Sequence, residues 1–216
     1  VIAIVIYFWS LLTEIFRGGM KALREKDWQR EEWKIIVGIA VGTLPALIGG
    51  FLLKDVLPEN ATIIAIASIV MALLLGLAEK VGIRQRGFDK LAVKDGILVG
   101  FGQMLALVPG VSRSGSTLTT ALFLGLERDA AARFSFLLGF PTLTIATLYK
   151  GLKVFKDGQL DFGLLIVGII STFIFSYISI AGLLKFLQKQ SLWVFVWYRL
   201  AFGAVILIAL ISGWKA

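Results

Sequence analysis

Apolar runs separated by short charged loops make up nearly the whole chain, at residues 1–16, 35–53, 61–78, 130–149, 162–187 and 192–211. A bilayer-spanning helix needs about 20 such residues, so the pattern predicts six spans. Pro45 predicts a kink in the second, and Arg133 and Pro141 interrupt the fourth. The intervening stretches predict a mixed-charge loop over 17–34, a short turn over 54–60, a basic loop over 79–94 and a polar link over 127–129. Trp28 and Trp33, and later Trp193 and Trp197, suit the headgroup level, and Glu14 reads as a solvated group at the end of its run.

One stretch breaks this rhythm. Residues 96–108 and 118–126 carry no charge, yet both are too short to span, and between them stands Pro109-Gly-Val-Ser-Arg-Ser-Gly-Ser-Thr117. Two short arms around a Pro-Gly break predict a re-entrant helix-loop-helix over 95–126 with its tip at membrane depth. A charge there costs about 2.5 kcal/mol or more even on lenient insertion scales, so Arg113 needs a partner or a function. Gly110 and Gly115 allow a tight turn with exposed N–H groups, Ser112 and Ser114 add hydroxyl donors, and a helix starting nearby aims its positive end at the loop. These are the parts of an anion cradle. With helical geometry from Arg113 onward, Thr117 and Thr120 fall on its face.

Composition places the whole chain in the membrane. Its 216 residues are 58% hydrophobic and 17% charged, with a mean hydropathy of +0.88, outside the range of a soluble domain. The chain has neither Cys nor His, which excludes disulfides, thiolate chemistry and imidazole bases or ligands within it. A net charge of +8 sits in the loops, so it implies no nucleic acid. The loops at 17–34, 79–94, 127–133 and 185–191 hold 15 Lys and Arg against 5 on the opposite side, which puts the first set in the cytoplasm. Three spans, a hairpin and three spans predict one membrane domain, 1–216, made of inverted repeats over 1–94 and 95–216. By symmetry a second re-entrant hairpin is expected before Val1, where the chain opens on an apolar run without a start methionine.

The central motif, with Gly125-Leu-Glu-Arg128 and Ala131-Ala-Arg-Phe-Ser-Phe136 after it, resembles the undecaprenyl-diphosphate phosphatase, or bacitracin-resistance, family. Weaker similarity extends to Gly42-Thr-Leu-Pro-Ala46 and Tyr198-Arg199. The resemblance implies an enzyme of the bacterial inner membrane that removes the terminal phosphate of a C55 polyprenyl diphosphate, recycling the lipid carrier for peptidoglycan and conferring bacitracin resistance. It implies that Arg113 holds the diphosphate, with Ser112, Ser114 and Thr117 in the same catalytic pocket, and a divalent cation, magnesium or calcium. The family's other motif, two glutamates followed by Ser-Ser-Thr-Gly-His, has no counterpart here, so its acid-base groups and metal ligands are expected on about 50 further residues upstream, one hairpin and its connection.

Charge spread over phosphoryl oxygens suits a fixed guanidinium, and Arg113 would be a bidentate clamp that Lys could not replace. The alternative is an arginine tying the tip to backbone carbonyls. Ser112 and Ser114 read as donors rather than nucleophiles, since no base accompanies them. Gly110, Gly115 and Ser116 are the candidate substrate-binding positions of the loop. The spacing from Gly110 to Thr117 superficially fits a nucleotide-binding P-loop, but Ser116 stands at the lysine position and no buried strand precedes it. Gln103 faces the pocket or makes a helix–helix hydrogen bond. Arg199 contacts substrate, snorkels or pairs with another helix. A secondary transporter or polyprenyl-phosphate flippase is the alternative function, because inverted repeats suit alternating access as well. The expected partners are the polyprenyl lipid and the bilayer, with a homodimer left open.

Overall fold

The computed structural model describes residues 1–53, 60–156 and 162–213. They form helices α1 (Ile2–Tyr7), α2 (Trp9–Glu25), α3 (Glu31–Leu53), α4 (Ala61–Val81), α5 (Val93–Leu105), α6 (Arg113–Phe123), α7 (Arg128–Lys156), α8 (Phe162–Leu187) and α9 (Trp193–Ile211). The turn expected over 54–60 lies almost wholly outside the described residues. Five helices, α3, α4, α7, α8 and α9, are long and apolar enough to cross a bilayer, and the chain is an all-α, multi-pass membrane protein. Pro45 and Pro141 lie inside α3 and α7, which continue through them.

The first expected span departs from a single helix. Phe8 leaves helical geometry (φ −96°, ψ 17°) and separates α1 from α2, although the Phe8 N–H still donates to Ile4 and its carbonyl accepts from Leu12. Helix also continues through half of the expected 17–34 loop. Arg17, Lys21 and Arg24 read as loop by charge, but Ile15, Gly19 and Ala22 recur every three to four residues on the opposite face and are buried. The helix ends only at Lys26, in the left-handed region at φ 55°.

Inside a bilayer, packing rather than water exclusion holds helices together, and small residues at the seam allow close approach. The contact of α3 with α5 is built this way. Gly38 and Gly42 face Gly96 and Gly100, each pair four residues apart; a Cβ on Gly96 would lie 2.5 Å from the Gly38 Cα, and one on Gly100 2.7 Å from the Gly42 Cα. The core proper lies where α6 packs between α4 and α7, around Leu118, Ala121, Leu122, Phe134, Leu137 and Leu138, while most of α8 is exposed.

α5 and α6 form the expected hairpin, and both of its legs return to one residue. Arg86 Nη1 donates to Asp95 Oδ1 (2.9 Å) at the start of α5 and to the Leu124 carbonyl (3.0 Å) just past α6, and Nη2 donates to Asp95 Oδ2 (2.5 Å) and the Lys90 carbonyl (2.8 Å). The backbone seconds this: the Gln85 and Arg86 N–H groups donate to Gly125, and Glu127 N–H to Arg86, each at 2.9–3.1 Å. Hydrogen bonding to Asp95 pushes the Arg86 pKa up against the opposing effect of burial. Beside it the buried Glu79 carboxylate pairs with Arg128 and, at 3.2 Å, with Arg84. The open end of the hairpin is thus locked by charge, and its tip projects into the bundle.

Candidate functional site

The tip is a turn clamped from two sides. After α5, the N–H groups of Ala106, Leu107 and Val108 each reach back three residues, tightening the chain into Pro109 and Gly110. Gly110 takes φ +93°, and a Cβ there would lie 2.7 Å from the Ile64 Cα of α4, so only glycine fits. Its carbonyl accepts from Ser68 Oγ of α4 (3.1 Å) and from Arg199 Nη2 of α9 (2.7 Å). Ser112 follows at φ +66°, a strained value for a residue with a side chain, and caps α6 by accepting from the Gly115 N–H at 3.3 Å.

Arg113, the first residue of α6, lies across Gly139 of α7 so closely that a Cβ on Gly139 would overlap its Nη1 and sit 2.8 Å from its Nη2. Nη1 is buried without an acceptor, and no ion pair reaches this guanidinium among the described residues. Ser112 and Ser114 are exposed.

The hydroxyls further along turn inward. Thr117 is fully buried, with its Oγ1 2.9 Å from the Arg113 carbonyl and 2.5 Å from Ser135 Oγ, and Ser116 Oγ donates to the same carbonyl at 2.9 Å. Thr120 donates to Ser116 at 2.9 Å. Thr117 therefore shares the face of Arg113, but its hydroxyl is spent on the α6–α7 seam. Gln103 Nε2 donates to Thr142 Oγ1 of α7 at 3.0 Å, which is the helix–helix bond rather than a group in the cavity.

Arg199 sits on the other side of the turn. A Cβ on Gly115 would lie 2.8 Å from its Nη1, and its Nε is buried without an acceptor. The backbone tie expected as the alternative role of Arg113 is thus made by Arg199. With Ser112, Ser114 and Gly115 it forms the polar wall of a cavity of about 110 Å³, closed by Leu75, Leu118, Leu183, Leu192 and Phe195. The cavity offers an anion the Arg199 guanidinium, two hydroxyls and a helix N-terminus, while Arg113 opens the same helix and lies against α7.

A divalent cation does not fit what surrounds this tip. No three Asp or Glu cluster anywhere among the described residues, and neither arginine has a carboxylate within ion-pair distance. Sequence reasoning gave no role to Gly139, Ser68, Ser135 or Thr142; the last three are small polar groups in apolar runs, and Ser135 also stands in the Ala131–Phe136 stretch that carries the resemblance.

A family model described as bacitracin resistance protein BacA matches residues 1–205. The chain is 53% identical to the undecaprenyl-diphosphatase of Thermosynechococcus vestitus, over 99% of this chain and 78% of that one. It is 49% identical to that of Trichodesmium erythraeum (99% and 71%) and 53% identical to that of Synechocystis sp. (96% and 66%).

Proposed function

We propose, because the chain belongs to the bacitracin resistance protein BacA family, that it removes the terminal phosphate of undecaprenyl diphosphate in a bacterial plasma membrane. Water attacks the terminal phosphorus, the bond to the bridging oxygen breaks, and inorganic phosphate separates from the lipid monophosphate. The observation that carries this reading is Arg113, a guanidinium without a carboxylate partner among the described residues and with a buried, unsatisfied N–H at the tip of the hairpin. Two charge-assisted hydrogen bonds from such a group stabilise the equatorial oxygens as charge moves onto them.

Ser112 and Ser114, exposed beside it, donate to the diphosphate and orient it. Thr117 and Ser116 act one step back: by bonding the Arg113 carbonyl they hold the first turn of α6 in place. A divalent cation belongs to the proposal for the active enzyme, but the residues described here do not fit it and no step is assigned through it. Two inverted halves, 1–94 and 95–216, are part of the same reading, supported by the order of spans around the hairpin.

The test is release of inorganic phosphate from undecaprenyl diphosphate by the full-length protein in detergent with divalent metal. Arg113→Ala should lower kcat by about 10²-fold or more, the effect of losing a transition-state donor. Arg113-dependent lipid binding without phosphate release would overturn the phosphatase in favour of a carrier.

A further inference from the structure

Of the chain's 22 Lys and Arg, Arg113 and Arg199 are the two that fall outside the charged segments counted between the apolar runs. They approach the first turn of α6 from different helices: Arg113 lies against Gly139 of α7, and Arg199 reaches Gly110 and Gly115 from α9. Only Arg199 lines the cavity of about 110 Å³, together with the Ser112 and Ser114 hydroxyls. Its Nη2 is taken by the Gly110 carbonyl, its Nε is buried without an acceptor, and no carboxylate neutralises it among the described residues. The rest of the lining is apolar and includes Leu118, one turn after Ser114 on α6, with Leu183, Leu192 and Phe195.

A cavity lined by a cation and hydroxyl donors together with hydrocarbon matches a phosphate monoester of a long alcohol. Inorganic phosphate would satisfy only the polar part of that lining. We infer that this cavity binds the phosphate that stays esterified to the isoprenoid, with Arg199 as its cation, while Arg113 serves the phosphate that leaves. The inference rests on the diphosphatase reading above.

It has a kinetic signature. The esterified phosphate is present in substrate, transition state and product alike, and its bridging oxygen takes the electron pair of the broken bond, so a contact to it sets product affinity and KM and also supports kcat as charge builds on the leaving group. A contact to the departing phosphate supports kcat and leaves the affinity for the monophosphate untouched. The two arginines should therefore separate in their effects even though both are cations at one tip.

The experiment pairs steady-state kinetics on undecaprenyl diphosphate with calorimetric titration of a polyprenyl monophosphate, using the full-length protein in detergent. Arg199→Ala should weaken monophosphate binding and raise KM by about tenfold or more, the value of a lost charge-assisted hydrogen bond, together with a fall in kcat. Arg113→Ala should lose kcat and keep monophosphate binding. Leu183→Phe, on the partly exposed α8 wall, fills the cavity without changing charge and should also weaken the monophosphate, which keeps the test decisive should Arg199→Ala not fold.

Inorganic phosphate should bind the wild type at least about tenfold more weakly than the lipid monophosphate. Equal affinity for the two would overturn the lipid assignment. So would unchanged monophosphate binding in the Arg199 and Leu183 variants, or an Arg199→Ala loss confined to kcat. A wild-type protein that releases no phosphate from the diphosphate sinks the diphosphatase reading on its own, a result separate from the titrations.

Discussion

The guanidinium of Arg113 rests directly on Gly139, and no side chain could occupy the space between them. Gly139→Ala should push the guanidinium off α7 and lower phosphate release by about 10- to 100-fold, since misplacing a reacting partner by an ångström costs on that order. The melting temperature in detergent should change little, because Nη1 has no hydrogen bond to lose. An activity within twofold of wild type would show that Arg113 works from elsewhere.

Asp95 is fully buried and its two oxygens meet Arg86 and the Ala92 N–H. Removing one member of a buried pair leaves an uncompensated charge, so Asp95→Asn should destabilise the protein by about 3–5 kcal/mol. The double change Asp95→Leu with Arg86→Met should recover part of that loss. Thermal denaturation of the three proteins in one detergent is the comparison; equal melting of the two variants would contradict the pairing.

The α3–α5 seam admits no side chain at Gly100, whose Cβ would meet backbone rather than a movable group. Gly100→Ala should cost about 1–3 kcal/mol by overpacking, and Gly100→Leu should abolish accumulation of folded protein. Gly168, which has nothing within 4 Å of a Cβ, should accept alanine with no loss, as a control in the same expression assay.

Ser112 combines a strained backbone with a capping hydroxyl, so its substitutions separate the two. Ser112→Gly gives up the cap but relieves φ +66°, and stability should hold or rise slightly. Ser112→Ala keeps the strain and loses the cap, which should cost about 1 kcal/mol. Ranking their melting temperatures with glycine above alanine is the expected result.

Period and charge alone placed α3, α4, α8 and α9, because each is apolar on all sides and bounded by polar residues. The N-terminal run was harder to read. A helix whose outer face carries Arg17, Lys21 and Arg24 looks like a loop when charge is counted, and its other face, Ile15, Gly19 and Ala22, is spaced too sparsely among small residues to stand out. At the site, Gly110, Ser112, Arg113 and Gly115 were legible because the turn they build is local. Gly139 and Ser68 were not, since their roles depend on helices that meet the turn from distant parts of the chain, 42 positions away for Ser68. The bond from Arg199 to Gly110 spans 89 positions, and no local pattern encodes it.

That last bond also sets an order in time. Gly110 leaves the ribosome 89 residues before Arg199 does, an interval of roughly 4 to 18 s at ordinary rates of translation. Throughout it the turn lacks its α9 donor and Ser68 alone can hold the Gly110 carbonyl. The anion cradle is therefore completed only when α9 inserts. A nascent chain stalled before α9 would hold its serines and Arg113 in the bilayer without a finished site.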